Sequence, residues 1–308
     1  MYIIDDANHD PYWSLETLIE SNMNCGGLVI TRAHVEEMLT VTQLVFELLE
    51  RVWQSLDHSL IDMKIEFGVV ENNGVKEIVV GDVIDNDSWR LWPSGDKRLM
   101  LDKQVYRNMD NASIDAAALE KVRGNFELVA ERTHNLFSSV IPSGVKGTPQ
   151  VGIVLGSKTD MDFANKIKAA LKEKYGISDV ETHVCSAHKS TKYALDVVSS
   201  LIQWPSCKAI IALAGRSNGL GPVSGANSPI PVINCPPTND LASLQLDVWS
   251  SLRLPSGIGC PTIFGAENAA QAVAHIFANS SPFVWGKIRT QQTYAIVKMI
   301  HDDAEINP

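Results

Sequence analysis

The chain predicts an α/β fold: a doubly wound parallel sheet in its second half, preceded by a smaller α+β lobe. Three observations carry this. From Val151 onward, short apolar runs alternate with helical stretches, and strands buried on both faces read as continuous apolar runs of this kind. Before about residue 137 the pattern is different, with period-two alternation and then long helical periodicity. Between the two, Ser138 to Pro149 clusters Ser, Gly and Pro, a composition break that marks a boundary. The expected domains are residues 1–137, a linker at 138–149, and residues 150–308.

In the first half, Met1 to Pro11 reads as a strand and a turn. Thr31 to Leu56 has helical periodicity, with Val35, Met38, Leu39, Val45, Phe46, Leu49, Val52 and Trp53 inward and Thr31 as N-cap. Leu60 to Val69 alternates, putting Ile61, Met63, Ile65 and Phe67 on one face and Asp62, Lys64 and Glu66 on the other. Glu71-Asn72-Asn73-Gly74 is a turn, and Ile78 to Ile84 the return strand. Lys64, Glu66 and Asp82 on this hairpin suit a divalent cation held against a phosphate, or a solvated face of cross-strand ion pairs. Asp85 to Asp96 reads as a loop rich in aromatic and charged residues, a composition common in binding loops. Ser113 to Phe137 reads as a helix.

In the second half, strands are expected at Val151–Leu155, Val180–Cys185, Ala209–Leu213, Pro231–Cys235 and Pro261–Phe264. Helices are expected at Thr159–Glu173 (Thr159 capping), Lys189–Gln203, Leu241–Leu252 and Ala266–Ala278. The order is flavodoxin-like. A last helix, Pro282 to about Asp302, has no strand left to serve and is expected to pack on another subunit.

Loops after the carboxyl ends of neighbouring parallel strands converge on one crevice. Here they are Gly156-Ser157-Lys158-Thr159-Asp160, Ser186-Ala187-His188-Lys189 and Ala214-Gly215-Arg216-Ser217-Asn218-Gly219. They bring a titratable imidazole, cations, hydroxyls and free N–H groups to one place. That set suits a small anionic ligand and one proton transfer. The first loop is neither of the usual glycine-rich phosphate motifs and reads equally as an ordinary βα turn. His188 reads as acid/base or as structural. Asp160 suits a sugar hydroxyl or an amine better than an anion.

Composition excludes other classes. The net charge of −10 argues against a nucleic-acid binder. The acidic excess is local: residues 1–147 hold 13 Lys/Arg against 24 Asp/Glu, while 148–308 hold 13 against 12. Five scattered cysteines fit neither a metal centre nor a disulfide framework, so buried free thiols in a reducing cytoplasm are expected. No apolar run approaches a membrane span and no signal peptide opens the chain.

Two resemblances follow from these motifs. Asp62 to Gly68, Asp82 to Trp92 and Asp102-Lys103-Gln104 resemble the carboxyl-terminal lobe of SAICAR synthetase, an ATP-dependent ligase of purine synthesis. The resemblance implies that Lys64, Glu66 and Asp82 belong to a Mg–ATP site, and that Arg90, Lys103 and Arg107 face the ribotide. In that family an amino-terminal lobe precedes this region. Its absence here implies a vestigial site, lost ligase activity, and Mg–ATP as cofactor only for a complete ligase part. A mis-assigned start codon is the alternative.

Residues 148–302, with the three loops above, the extension Leu220 to Val223, and Asp247 to Gly257, resemble the AIR carboxylase domain of the animal bifunctional purine enzyme. The implied reaction is reversible carboxylation of aminoimidazole ribotide with CO2, without biotin or ATP. His188 would be the acid/base, assisted by Lys189. Ser157, Ser186, Lys189 and Arg216 would hold phosphate and ribose, and Asp160 a hydroxyl. Gly215 and Ser217 would line the CO2 pocket. Octamers are implied. The chain departs from that family at Thr159 (usually Ser), at Ser190-Thr191 (usually Gly-Pro) and at Ser224 to Asn227 (usually Met-Ser-Gly-Asn). The altered loop at Ser190-Thr191 and the missing amino-terminal lobe leave an alternative: a catalytically weak paralogue that binds the ribotide or co-assembles with the full-length enzyme. Apart from any resemblance, a phosphosugar-binding module remains open.

Overall fold

The computed structural model describes residues 11–109, 115–140, 148–237, 245 and 247–307. The strand and turn expected at Met1–Asp10, most of the linker, and the start of the helix expected from Leu241 lie outside the described residues. The chain divides into two units: residues 1–138 together with 289–308, and residues 139–288.

In the first unit, α1 (Leu15–Glu20) starts at Ser14, whose Oγ accepts the Thr17 N–H. A short antiparallel pair, β1 (Asn24–Cys25) and β2 (Leu28–Val29), leads into α2 (Arg32–Gln54). Thr31 is its N-cap, with its own N–H donating to His34 Nδ1. Val35, Met38 and Trp53 are buried as the periodicity predicts, but Leu39 is exposed and Leu44 is buried. The helix has two packed faces where the periodicity was read as one. Glu37, Leu44 and Glu47 recur at helical spacing, and Glu37 and Glu47 meet the chain's last helix.

The expected hairpin is corrected. It is two separate pairs: β3 (His58–Met63) with β6 (Trp89–Pro93), and β4 (Phe67–Asn72) with β5 (Val75–Val80). Asn73 and Gly74 take positive φ at the β4–β5 turn, as a two-residue hairpin loop demands. In β3, His58 and Leu60 face inward while Ile61 is exposed. The register moves one step on β6 while β3 advances two, from Leu60 to Asp62. Ile61 is thus the extra residue of a bulge, which reverses the phase read from alternation.

The stretch read as a loop, Asp85–Asp96, is half core. Trp89 and Leu91 are buried with Trp53, Leu60, Val129 and Leu136. Buried Asn86 accepts from Trp89 Nε1 and donates to the Leu101 carbonyl. Buried Asp102 accepts the N–H groups of Leu91 and Gln104. A short α3 (Gln104–Arg107) and the long α4 (Ala116–Val140) complete this unit's own run of chain.

The second unit is a four-stranded parallel sheet among the described residues. Its strands are β7 (Val151–Leu155), β8 (Val180–Val184), β9 (Ala209–Leu213) and β10 (Val232–Asn234), in spatial order β10-β9-β7-β8. That is the flavodoxin order, with the switch point between β7 and β9. Helices α5 (Met161–Tyr175), α6 (Thr191–Ile202), α7 (Leu220–Ala226), α8 (Trp249–Leu252) and α9 (Ala266–Ala278) follow the strands. Alternation along the strands feeds two cores. Ile153, Leu155, Ile211 and Leu213 pack with α5 and α9; Val154, Ile210 and Ala212 pack with α6. Gly152 is needed where it stands, since a methyl there would sit 2.6 Å from Leu201 Cδ1.

The expected fifth strand is reduced to one parallel bridge, Asn234 to Thr262. Pro231 and Pro236 bracket β10, and prolines cannot donate to a ladder. Thr159 is not the cap of α5. A single 3₁₀ turn, Lys158–Asp160, precedes the helix, and Ser157 caps that turn.

The last helix, α10 (Pro282–Ile306), begins in the second unit, with Val284 and Ile288 in its core. From Arg289 it belongs to the first unit. There Arg289 clamps Glu47 through Nε and Nη2, at 3.1 and 2.8 Å, and His301 meets Glu37 at 2.8 Å. The helix therefore has partners inside its own chain.

Candidate functional site

In the second unit the three predicted loops leave the sheet side by side. β7 lies between its two neighbours, and Leu155 pairs in register with both Val184 and Leu213. The ladder continues one step past each strand end: Cys185 N–H donates to Leu155 O, and Gly156 N–H to Leu213 O. Ser157 and Asp160 are therefore in the middle loop, Ser186, His188 and Lys189 in the second, and Gly215, Arg216 and Ser217 in the third. His188, Lys189, Gly215, Arg216 and Ser217 are exposed; Ser157, Asp160 and Ser186 are half-buried.

Each loop is shaped by its own residues. In the first, the Thr159 N–H and hydroxyl both reach Ser157 Oγ. Burial raises the Asp160 carboxyl above its usual range, against the lowering effect of hydrogen bonds from Thr159 and Ser157. A carboxylate short of water is primed to accept a ligand hydroxyl. In the second, Ser186 Oγ accepts the Lys189 N–H and the Ser186 carbonyl accepts the Ser190 N–H. Thr191 Oγ1 donates to the Ala187 carbonyl at 2.6 Å. The Ser190-Thr191 departure thus leaves the turn beneath His188 pinned. In the third, Arg216 holds a left-handed φ of 53°, a conformation that costs energy outside glycine. Two contacts hold it there: its N–H donates to Asp247 Oδ2 at 3.0 Å, and Ser250 Oγ lies 2.9 Å from its carbonyl oxygen.

The second and third loops touch. A methyl on Gly219 would stand 2.9 Å from His188 Nε2 and 3.1 Å from Cε1. The imidazole lies against bare backbone, and a side chain at 219 would have to displace it. Residues to which the sequence reading gave no role underpin this contact: Asn218, Asn234, Ser250 and Ser251. Asn234 was detectable as the one polar side chain in the apolar run Val232 to Cys235.

Four of the five cysteines are buried. All five are free. Burial pushes Cys185 and Cys260 up to about 11 and Cys235 to about 12, far from the thiolate form that reacts.

The predicted ligase residues of the first unit are spread over several segments. Lys64 pairs with Glu66 at 2.5 Å on the link between β3 and β4. Asp82 accepts its neighbour's N–H, from Val83. Arg90 pairs across the ladder with Asp62 at 2.8 Å. Lys103 donates to the Asp87 carbonyl. Backbone bonds tie these segments together: Lys64 N–H to Ser88 O, and Gly81 N–H to Glu66 O. Arg107 is exposed at the end of α3. Among the described residues no group of three or more His, Cys, Asp or Glu is placed to hold a metal ion, and no helix is long and apolar enough to cross a membrane.

Two family models match the chain. Residues 150–296 match the AIR carboxylase family and residues 1–122 the SAICAR synthetase family. A bifunctional phosphoribosylaminoimidazole carboxylase/phosphoribosylaminoimidazole succinocarboxamide synthetase of Drosophila melanogaster is 44% identical over 98% of this chain and 67% of its own. The multifunctional protein ADE2 of Gallus gallus is 44% identical over 99% of this chain and 69% of its own. A solved structure, Treponema denticola PurE, is 31% identical with a TM-score of 0.48, covering 51% of this chain and 98% of that one.

Proposed function

The chain belongs to the bifunctional AIR carboxylase/SAICAR synthetase family, and on that premise we propose how its second unit works. It has carboxylase function in purine biosynthesis. The substrate is aminoimidazole ribotide, and CO2 is added at a ring carbon that is nucleophilic as an enamine. The ring carbon forms the C–C bond and then gives up its proton to His188, which returns it in the reverse direction. Lys189 assists at the same loop. Arg216, Lys189, Ser157 and Ser186 hold the phosphate and ribose, Asp160 accepts from a hydroxyl, and Gly215 and Ser217 line the CO2 pocket. No cofactor is required. The observation that carries this reading is the contact of His188 with the Gly219 backbone, which joins the base to the ligand loop.

The protein is proposed to work in the cytoplasm as a homo-oligomer built on this unit, the octamer being the expected form. Val184, Tyr193, Trp204, Trp249 and Leu252 each expose more than a third of their surface, apolar area that such an assembly would cover. The test of function is an ultraviolet assay with bicarbonate and no ATP. Turnover is expected. Silence from a folded oligomer would replace this reading with that of a paralogue that co-assembles with full-length enzyme.

The ligase half is proposed to be degenerate in this polypeptide. What supports it is that Lys64 and Glu66 neutralise each other and Asp82 is engaged with its own backbone, leaving little to cradle phosphates. Isothermal titration with Mg–ATP is expected to show no binding tighter than roughly 100 μM, an affinity of only ~5.5 kcal/mol. Micromolar binding would overturn the proposal.

A further inference from the structure

The third loop of the site is fixed from beneath by a buried pair of asparagines. Asn218 is 3% exposed and Asn234, at the end of β10, is 0% exposed. Every polar group of Asn218 but its carbonyl is assigned. Its N–H donates to Ser250 Oγ at 2.8 Å, and its Oδ1 accepts the Gly221 N–H at 3.0 Å. Its Nδ2 donates to both Asn234 Oδ1 and Ser251 Oγ at 2.9 Å. Asn234 Nδ2 in turn reaches Cys260 O and Thr262 Oγ1, each at 3.4 Å. Three parts of the unit therefore meet at one amide pair: the loop after β9, the end of β10, and the segment from Ser250 to Thr262.

The packing is as specific as the hydrogen bonding. A methyl on Gly221 would fall 1.5 Å from Asn234 Oδ1, so the Asn234 amide occupies the space that any side chain at 221 would take. One residue beyond Asn218, Gly219 bears on His188 Nε2. Two residues before it, the left-handed Arg216 is held by Asp247 and Ser250. Buried polar pairs of this kind are costly unless fully satisfied, and these bonds satisfy this one with the loop where it stands.

The geometry points to Asn234, acting through Asn218, as a positioning residue that sets the Gly219 backbone against His188 and so places the base relative to the ring carbon. This rests on the carboxylase reading above. Neither asparagine touches the reacting atoms; their effect is on where the base stands. A misplacement of about 1 Å costs on the order of 100-fold in rate.

Asn234→Ala removes one acceptor of the Asn218 amide and opens space beneath Gly221. The variant is expected to fold, with kcat lowered roughly 10- to 100-fold and KM for the ribotide changed less than about threefold. A purely structural role would lower the active fraction in proportion to unfolding, which thermal melting reads separately. Should Asn234→Ala not fold, Ser251→Ala removes the other acceptor of Asn218 Nδ2 with less disturbance, and the same split is expected. Pairing adds a second arm: Gly221→Ala alone is expected to be nearly inactive, and adding Asn234→Ala, which clears the space, to recover part of the loss. A folded variant with the parent kcat, or a rise in KM alone, overturns the proposal, as does a double variant no better than Gly221→Ala. If the parent protein itself shows no turnover, the carboxylase reading fails. A crystal structure of Asn234→Ala then decides the positioning role, with Gly219 displaced from His188 supporting it and an unmoved loop overturning it.

Discussion

Replacing His188 with alanine is expected to lower carboxylase turnover by roughly 100- to 10,000-fold, the usual contribution of a positioned acid/base group. That corresponds to ~3–5 kcal/mol of barrier. Carboxylation at the ring carbon leaves a proton that must go somewhere, and His188 is the imidazole at the carboxyl ends of these strands. Thermal stability should hardly change. The ring is exposed, and its close neighbour is the backbone of Gly219, so truncation removes little packing. Oligomer size by light scattering should also be unchanged. Added imidazole in the assay should restore part of the rate to His188→Ala, because the space it leaves is open to solvent. Lys189→Ala should behave differently, raising KM more than it lowers kcat, if its exposed ammonium serves the phosphate as proposed. Persistent turnover in His188→Ala would move the base elsewhere, with Asp160 the next candidate because burial already raises its carboxyl.

How much of this was legible in the sequence depended on the kind of element. The second unit was read nearly to the residue for β7 and β9, because buried parallel strands are apolar without interruption and glycines punctuate their ends. Its loops were legible for the same reason: strand ends define them. The fifth strand was not, since nothing in Pro261–Phe264 announces that only Thr262 bridges to Asn234. In the first unit, period-two alternation was misread because the Ile61 bulge shifts the phase without any change in composition. Trp89 and Leu91 look like loop residues in the sequence because Asp, Asn and Ser precede them, yet Asn86 is there to satisfy the Trp89 indole. The supporting asparagines of the site were missed because side-chain to side-chain networks join residues distant in sequence, as Asn218 joins Asn234 and Ser251. No periodicity marks such pairs.

Trp53→Ala is the substitution expected to cost the first unit most, about 3–5 kcal/mol. Trp53 is 1% exposed. Its ring meets Trp89 edge-on at 5.7 Å and the His58 ring at the same distance, so its removal leaves a void bordered by β3, β6 and α2. The side chain also carries a flaw: among the described residues its buried Nε1 has no hydrogen-bond partner. An orphaned donor costs about 1–3 kcal/mol, so Trp53→Phe, which deletes it along with some volume, should fall within about 1.5 kcal/mol of the parent. The gap between the two variants separates packing from polarity. Acid should act at the same place. His58 is buried, its Nδ1 lies 2.6 Å from the Leu56 carbonyl, and its Nε2 meets the Arg132 guanidinium. Burial first, and Arg132 after it, hold this imidazole below its ordinary 6.5, against an opposing effect of the Leu56 carbonyl. The unfolded chain then takes up the proton more readily than the folded one. This contribution is fully present above about pH 6.5 and is lost as pH falls below it. Calorimetry at pH 7.5 and pH 5.5 should therefore show the first unit weakened by acid in the parent and weakened less in His58→Gln. None of the proposed carboxylase residues lies in this unit, so Trp53→Ala should retain carboxylase turnover at a temperature where the second unit is folded. A folded Trp53→Ala that has lost turnover would show that the first unit supports the site; a stability loss under about 1 kcal/mol would show that the void collapses around Trp89.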